Sequence, residues 1–195
     1  MSMPAAQRRW TAREVRELIA DSPLQTPRYE LVDGELLVTP SPSPLHQRAI
    51  QRLSRALDAY LQWNAIGEVW TSPFDVELER NSVTQPDLFV LPIHEVRRVL
   101  VEGLPARELV LAIEALSPGS GRFDKVEKRL VYTRHVPEYW IVDVDSRVFE
   151  RWRKYETKSE MIVDSLVWHP AGAAEPFTLE VPGYFADVCG DPAPY

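Results

Sequence analysis

Two acids and one base in this sequence stand where they can do chemistry as well as dress a surface. Asp87 follows Pro86 and opens the short apolar run Leu88-Phe89-Val90-Leu91. Glu114 sits near the end of a second apolar run, Leu109-Val110-Leu111-Ala112-Ile113. Lys128 lies on the stretch that follows. A carboxylate on a strand of apolar character is costly to bury without compensation. Two of them on neighbouring strands repel, and a shared divalent cation relieves both. Mg²⁺ takes oxygen ligands, typically one or two carboxylates with waters and substrate phosphates completing the octahedron. Mn²⁺ suits the same donors. Such an ion lowers the pKa of a bound water and neutralises charge developing on a phosphate. A nearby lysine can orient the attacking water or stabilise that charge. The expected metal ligands are Asp87 and Glu114, with Lys128 as the third catalytic group.

Each residue also has a plainer reading. Asp87 can cap a turn after proline. Glu114 can pair with an arginine at a sheet edge. Lys128 can be a solvated helix lysine paired with Asp124 four residues earlier. The helix spacing leaves the last point open. Asp124, Lys128, Val131, Tyr132 and His135 form one stripe, and Val126 and Leu130 lie opposite. If the second stripe faces the sheet, Lys128 points to water.

The elements that must position these groups follow from patterning. Thr11 with Glu14 resembles a capping box and starts a helix over about 11–20, ended by Asp21-Ser22-Pro23. Arg28 to Val32 and Glu35 to Thr39 flank Asp33-Gly34, a hairpin signature. The proline-rich stretch 40–44 precedes an amphipathic helix carrying Leu45, Ala49, Leu53, Ala56, Leu57 and Tyr60, closed by Gly67. Val69 to Thr71 and Phe74 to Glu79 read as strands around Pro73. Asp87 begins a buried strand, and His94 to Val101 reads as a short helix or crossover. The continuous apolar content of 109–113 marks a central strand covered on both faces. Ser117-Pro118-Gly119-Ser120-Gly121 makes a loop before a helix over about 122–135. Glu138 to Asp143 and Val148 to Arg153 form a hairpin, and 158–163, 165–169 and 176–181 read as further edge strands. Tyr139, Trp140, Phe149 and Trp152 read as core or cross-strand pairs. Arg147, Arg151, Arg153 and Lys154 read as a solvated strand face, or as a phosphate-contacting strip. The strand–helix–strand unit among hairpins indicates one α/β domain with a mixed sheet flanked by helices.

Bulk properties agree. The chain of 195 residues suits one domain that buries about 70% of its unfolded surface. Apolar residues at 45% and charged residues at 26% are those of an ordinary globular protein. A single cysteine, Cys189, allows no internal disulfide and fits a reducing compartment. The N-terminal MSMPAAQRRW lacks the apolar run of a signal peptide. No stretch approaches the roughly 18 apolar residues of a membrane span. A soluble, cytoplasmic protein without a membrane partner is expected. The net charge of −7 does not advertise DNA binding, since phosphate backbones reward Lys and Arg. A local basic strip would have to supply it.

Five segments occur in a recognisable order: Tyr29-Glu30-Leu31-Val32-Asp33-Gly34-Glu35, Gln85-Pro86-Asp87, Ile113-Glu114-Ala115-Leu116-Ser117-Pro118, Asp124 to Lys128 to Tyr132, and Val136-Pro137-Glu138-Tyr139-Trp140-Ile141-Val142-Asp143. Together, over about residues 28–155, the chain resembles the Uma-type restriction-endonuclease family of the PD-(D/E)XK nuclease superfamily. The resemblance implies a restriction-endonuclease-like core over about 28–155, an N-terminal helix before it and C-terminal strands over about 156–188. It implies Mg²⁺-dependent hydrolysis of DNA phosphodiester bonds. Asp87 and Glu114 match the metal-binding acids. The superfamily's usual lysine position, two residues after the second acid, is Leu116 here, and Lys128 matches a lysine moved to the following helix. Glu30 and Glu35 match accessory acids, Glu35 slightly preferred. His46 matches a family position, from which its imidazole can touch metal-bound water or substrate, and Gln85 can bond a phosphate or metal-bound water. Superfamily members that cut both strands as dimers make a homodimer an expectation by analogy, with the tail after residue 156 as its contact.

Two other functions compete. A non-catalytic nuclease-fold module that binds nucleic acid or a protein fits Leu116 and the acidic balance. A metal-assisted hydrolase of another phosphorylated substrate would use the same carboxylates.

Overall fold

Asp33 and Gly34 turn the chain with φ of 46° and 82°, the left-handed values a two-residue hairpin needs. They join β1 (Arg28–Val32) to β2 (Glu35–Thr39), with Glu30 opposite Leu37 and Val32 opposite Glu35. The computed structural model describes residues 8–21, 27–116 and 122–191. The loop expected at 117–121, the Ser22-Pro23 stop and the first seven residues lie outside them.

Ahead of the hairpin, α1 (Ala12–Asp21) is capped by Thr11 and Glu14, whose side chain accepts the Thr11 backbone N–H. α1 packs Val15 onto Leu31 and Val83. In α2 (Pro44–Leu61), Ser43 caps the first turn by accepting the His46 N–H, and Pro44 begins the helix where its missing N–H costs nothing. Ala49, Leu53, Leu57 and Leu61 form its buried stripe.

Six strands build the central sheet in the order β3-β4-β5-β6-β7-β8. They are β3 (Gly67–Thr71), β4 (Leu88–Pro92), β5 (Leu111–Ala115), β6 (Glu138–Asp143), β7 (Val148–Arg153) and β8 (Glu160–Ile162). Among the described strands only β5 and β6 pair in parallel, as their crossover through α4 (Arg122–His135) requires. The shorter α3 (Ile93–Glu102) links β4 to β5. The sheet is therefore mixed and flanked by helices, as expected. Strand alternation sorts the core. Leu88, Val90, Leu111, Ile113, Trp140 and Val142 face α2. Phe89, Leu91, Ala112, Tyr139 and Ile141 face the side of α3 and α4. The aromatics Tyr139, Trp140, Phe149 and Trp152 are all buried in these two cores.

Several expectations give way. Phe74 to Glu79 is not a strand. Phe74, Val76 and Leu78 pack into the core, but Val76 makes only isolated bridges, to Thr84 and Ala106. Gly67 does not close α2, which ends at Leu61. It opens β3, where a Cβ would fall on the Leu91 carbonyl oxygen. The C-terminal strands expected to 188 stop earlier. β9 (Ser165–Trp168) and β10 (Phe177–Glu180) pair with each other, and Val181–Cys189 is a helix, α5. Glu180 caps α5 by accepting the Gly183 N–H, and Gly190 ends it in the left-handed conformation. Leu166, Trp168, Phe177, Phe185 and Val188 complete the core beneath α2.

Candidate active site

β4 and β5 run antiparallel with Leu88 opposite Ile113. Asp87 and Glu114 are the next residue beyond each, so the register carries them to the same end of the sheet. Asp87 Oδ2 accepts the Ala115 N–H across this boundary at 3.0 Å. It also meets His46 Nε2 at 2.8 Å, while Oδ1 accepts from Arg28 Nη1 at 2.8 Å. His46 is there because it opens α2, one turn from the Ser43 cap.

The open question about the second long helix is settled by burial. Lys128, Val131 and Tyr132 are buried, whereas Val126 and Leu130 remain 38% and 45% exposed. Lys128 Nζ lies 3.2 Å from Glu114 Oε1, and the Tyr132 hydroxyl donates to the same oxygen at 3.2 Å. On its other side Nζ is 2.6 Å from Glu30 Oε2. Glu30 reaches this point because the first hairpin docks on the segment before Asp87. Leu31 and Val83 exchange backbone hydrogen bonds at 2.7 Å, and the Gln85 N–H donates to Glu30 Oε1 at 2.7 Å.

The cluster thus holds three carboxylates, Glu30, Asp87 and Glu114, against two full cations, Arg28 and Lys128. Its ionisation follows. Burial pushes Asp87 up, but the His46 hydrogen bond and the charges of His46, Arg28 and Lys128 outweigh it and hold the carboxyl well below the usual range. Burial dominates at Glu114. Lys128 opposes it, the neighbouring Asp87 and Glu30 add to it, and the carboxyl is pushed up to about 8. Burial favours neutral Lys128, yet Glu114 and Glu30 overcome this and raise its pKa. Lys128 is therefore an ammonium, which has no lone pair to act as a base.

The donor set fits Mg²⁺ in kind. Among the described residues no three His, Cys, Asp or Glu side chains converge as a metal-binding group. Mg²⁺ needs only one or two carboxylates beside waters. Glu114 Oε1 is occupied by Lys128 and Tyr132, but no described residue donates to Oε2. Asp87 Oδ1 accepts only from Arg28 among the described residues. Each acid retains oxygen lone pairs, and ionisation of Glu114 would leave three carboxylates against the two cations Arg28 and Lys128.

A family pattern, Uma2, described as "Putative restriction endonuclease", matches residues 15–168. The chain belongs to the Uma2 family. Its fold is similar to the crystal structure titled "a putative nuclease belonging to DUF820" from Anabaena variabilis ATCC 29413. That likeness has a TM-score of 0.74 at 19% identity and covers 89% of this chain and 98% of that one. No curated protein matches the chain. Among the described residues, no helix is long and apolar enough to cross a membrane.

Within this Uma2 fold the expected residues divide. Asp87, Glu114, Lys128, His46 and Glu30 are brought together. Glu35, preferred over Glu30 from sequence, lies opposite Val32, two positions toward the turn, and no described bond ties it to the cluster. The preference between the two acids is reversed. The Gln85 side chain turns away to Asp75 Oδ1 at 2.8 Å, and only its backbone serves the site. The basic run is not a free strip. Arg151 is only 7% exposed and bonds Glu160 and the Val167 carbonyl, Arg153 pairs with Glu160, and Arg147 pairs with Asp191. Sequence reasoning missed Arg28 and Tyr132. Strand alternation carried a signal for the first, since Arg28 and Glu30 share a face. Helical spacing carried one for the second, four residues after Lys128.

Proposed function

We propose that this Uma2 protein is a Mg²⁺-dependent endonuclease that hydrolyses DNA phosphodiester bonds. The observation that carries the reading is the Glu30–Lys128–Glu114 contact beside Asp87. An ammonium is fixed between two acids, and one of those acids keeps an oxygen for a further cation. Asp87 and Glu114 would hold the ion. When bound, Mg²⁺ supplies an acidified water and neutralises charge on the phosphate. Lys128 donates its protons toward developing negative charge from a position set by Glu30. Arg28 and His46 keep Asp87 ionised and oriented. Tyr132 restricts Glu114 to one rotamer by bonding Oε1.

Purified protein with plasmid DNA and Mg²⁺ or Mn²⁺ tests this. Nicking by the parent chain, lost in Asp87→Ala and in Glu114→Gln, supports it. No cation binding together with unchanged turnover in Asp87→Ala overturns it.

The non-catalytic alternative has one observation in its favour. Asp87 already accepts three hydrogen bonds inside the protein. It predicts nucleic-acid or protein binding that survives Glu114→Gln, with no nicking by the parent chain. A homodimer that places two such sites on opposite strands belongs to the same proposal, and sedimentation of the full chain tests it.

A further inference from the structure

A cleft of about 550 Å³ opens beside Asp87 on the side of α2. Arg28, His46 and Asp87 line it, and Glu114 and Lys128 are not in its walls. One wall is a stripe of α2, Gln47, Gln51, Ser54 and Arg55, opposite the helix's buried leucines. The facing wall carries Thr71 and Ser72 from the end of β3.

Two features point to a ligand. His46 is buried and Arg28 nearly so, with side chains 7% and 10% exposed. Among the described residues nothing hydrogen-bonds to Arg28 Nε or His46 Nδ1, though both atoms are buried. An unpaired buried polar atom costs free energy, while the Arg28 charge is already met by Asp87 at 2.8 Å, so the anion of a ligand falls to the rim of the cleft. Second, beside the apolar Pro42, Ile50 and Pro73 the walls carry the amides of Gln47 and Gln51 and the hydroxyls of Ser54, Thr71 and Ser72, groups that bond base edges and sugar oxygens. Arg55, exposed at the rim, makes no ion pair with any described residue.

Size and charge narrow the ligand. The volume is that of a small-molecule pocket, about 300–1,000 Å³. A duplex presents one negative charge per roughly 1.7 Å of axis, and one strand presents half of that. One uncommitted arginine among the described lining of the cleft, in a chain of net charge −7, suits the lesser demand. We infer that this cleft is a nucleotide subsite for an unpaired strand, its phosphate against Arg55 and its base against Gln47 and Gln51. The inference rests on the nuclease reading of Asp87 and extends it to a substrate class, a single-stranded segment entering next to the scissile bond.

The full chain is titrated, without divalent cation, into a fluorescent oligodeoxythymidine of about ten nucleotides and into the corresponding duplex, read by anisotropy. The single strand is expected to bind more tightly. Arg55→Glu weakens it about tenfold, the scale of a lost charged hydrogen bond, and Gln51→Leu weakens it without changing charge. Lys154→Glu, a matched reversal outside the cleft, has little effect. Thermal melting establishes that each variant is folded. Tighter duplex binding, no binding of either probe, or an Arg55→Glu result equal to Lys154→Glu overturns the subsite. Cleavage of the single-stranded oligomer and nicking of plasmid with Mg²⁺ are read separately. Absence of both in the parent chain sinks hydrolysis and leaves the subsite standing. Nicking with oligomer binding unaltered in Arg55→Glu does the reverse.

Discussion

Lys128 is held more closely by Glu30 than by Glu114: Nζ lies 2.6 Å from Glu30 Oε2 and 3.2 Å from Glu114 Oε1. Glu30 is wholly buried, so its charge has no solvent to fall back on. Removing one partner of such a pair strands the other. Glu30→Gln keeps an acceptor for the Gln85 N–H but removes the charge. It is expected to lower stability by about 3 kcal/mol and to reduce nicking sharply. Urea unfolding with the parent chain as reference measures the first effect.

Lys128→Met fills much the same volume but leaves Glu30 and Glu114 without a counter-charge. Protonation can relieve that defect, so the destabilisation should be larger at pH 8 than at pH 5. Paired denaturation curves at the two values check this. An equal loss at both would mean that Lys128 contributes packing alone.

Glu114 gives the fold a pH dependence of definite sign. Its folded pKa, pushed up to about 8, exceeds the ordinary 4.5. Between these values the native state binds the proton that the unfolded chain releases. The stabilising contribution is full below the unfolded pKa and is lost as pH rises through the folded one. Glu114→Gln should flatten stability between about pH 5 and 8, where the parent declines by at most about 1.4 kcal/mol per unit. Asp87 runs the opposite way, its lowered pKa adding stability above the ordinary carboxylate range that disappears in acid.

Cation binding should release a proton near neutral pH, because a carboxyl must ionise to ligate. Mn²⁺ calorimetry at pH 7 in two buffers of different ionisation enthalpy is expected to show about one proton released. Glu114→Gln should abolish that release. A buffer-independent heat in the parent chain would argue against Glu114 as a ligand.

Gly67 tests the sheet that carries the site. A side chain there meets the Leu91 carbonyl and the Val90 side chain. Gly67→Ala is expected to cost about 2 kcal/mol by overpacking, seen as a lowered melting temperature.

The hairpin at Asp33-Gly34, the α2 stripe and the two apolar strands could be read from the chain because each rests on local chemistry or on a period of two or about 3.6 residues. Asp87 and Glu114 were legible for the same reason, as acids interrupting apolar runs. α5 was not, since Val181-Pro182-Gly183 looks like the end of a strand until Glu180 is seen capping it. The choice of Glu30 over Glu35 was beyond the sequence as well. The two share a face of one hairpin, and only the docking of that hairpin against Val83 and Gln85 decides which carboxylate meets Lys128. Arg28 and Tyr132 belong with them. Local pattern states which way a side chain turns from its own backbone. What it meets there is set by packing between elements distant in the chain, and that exists only in the folded molecule.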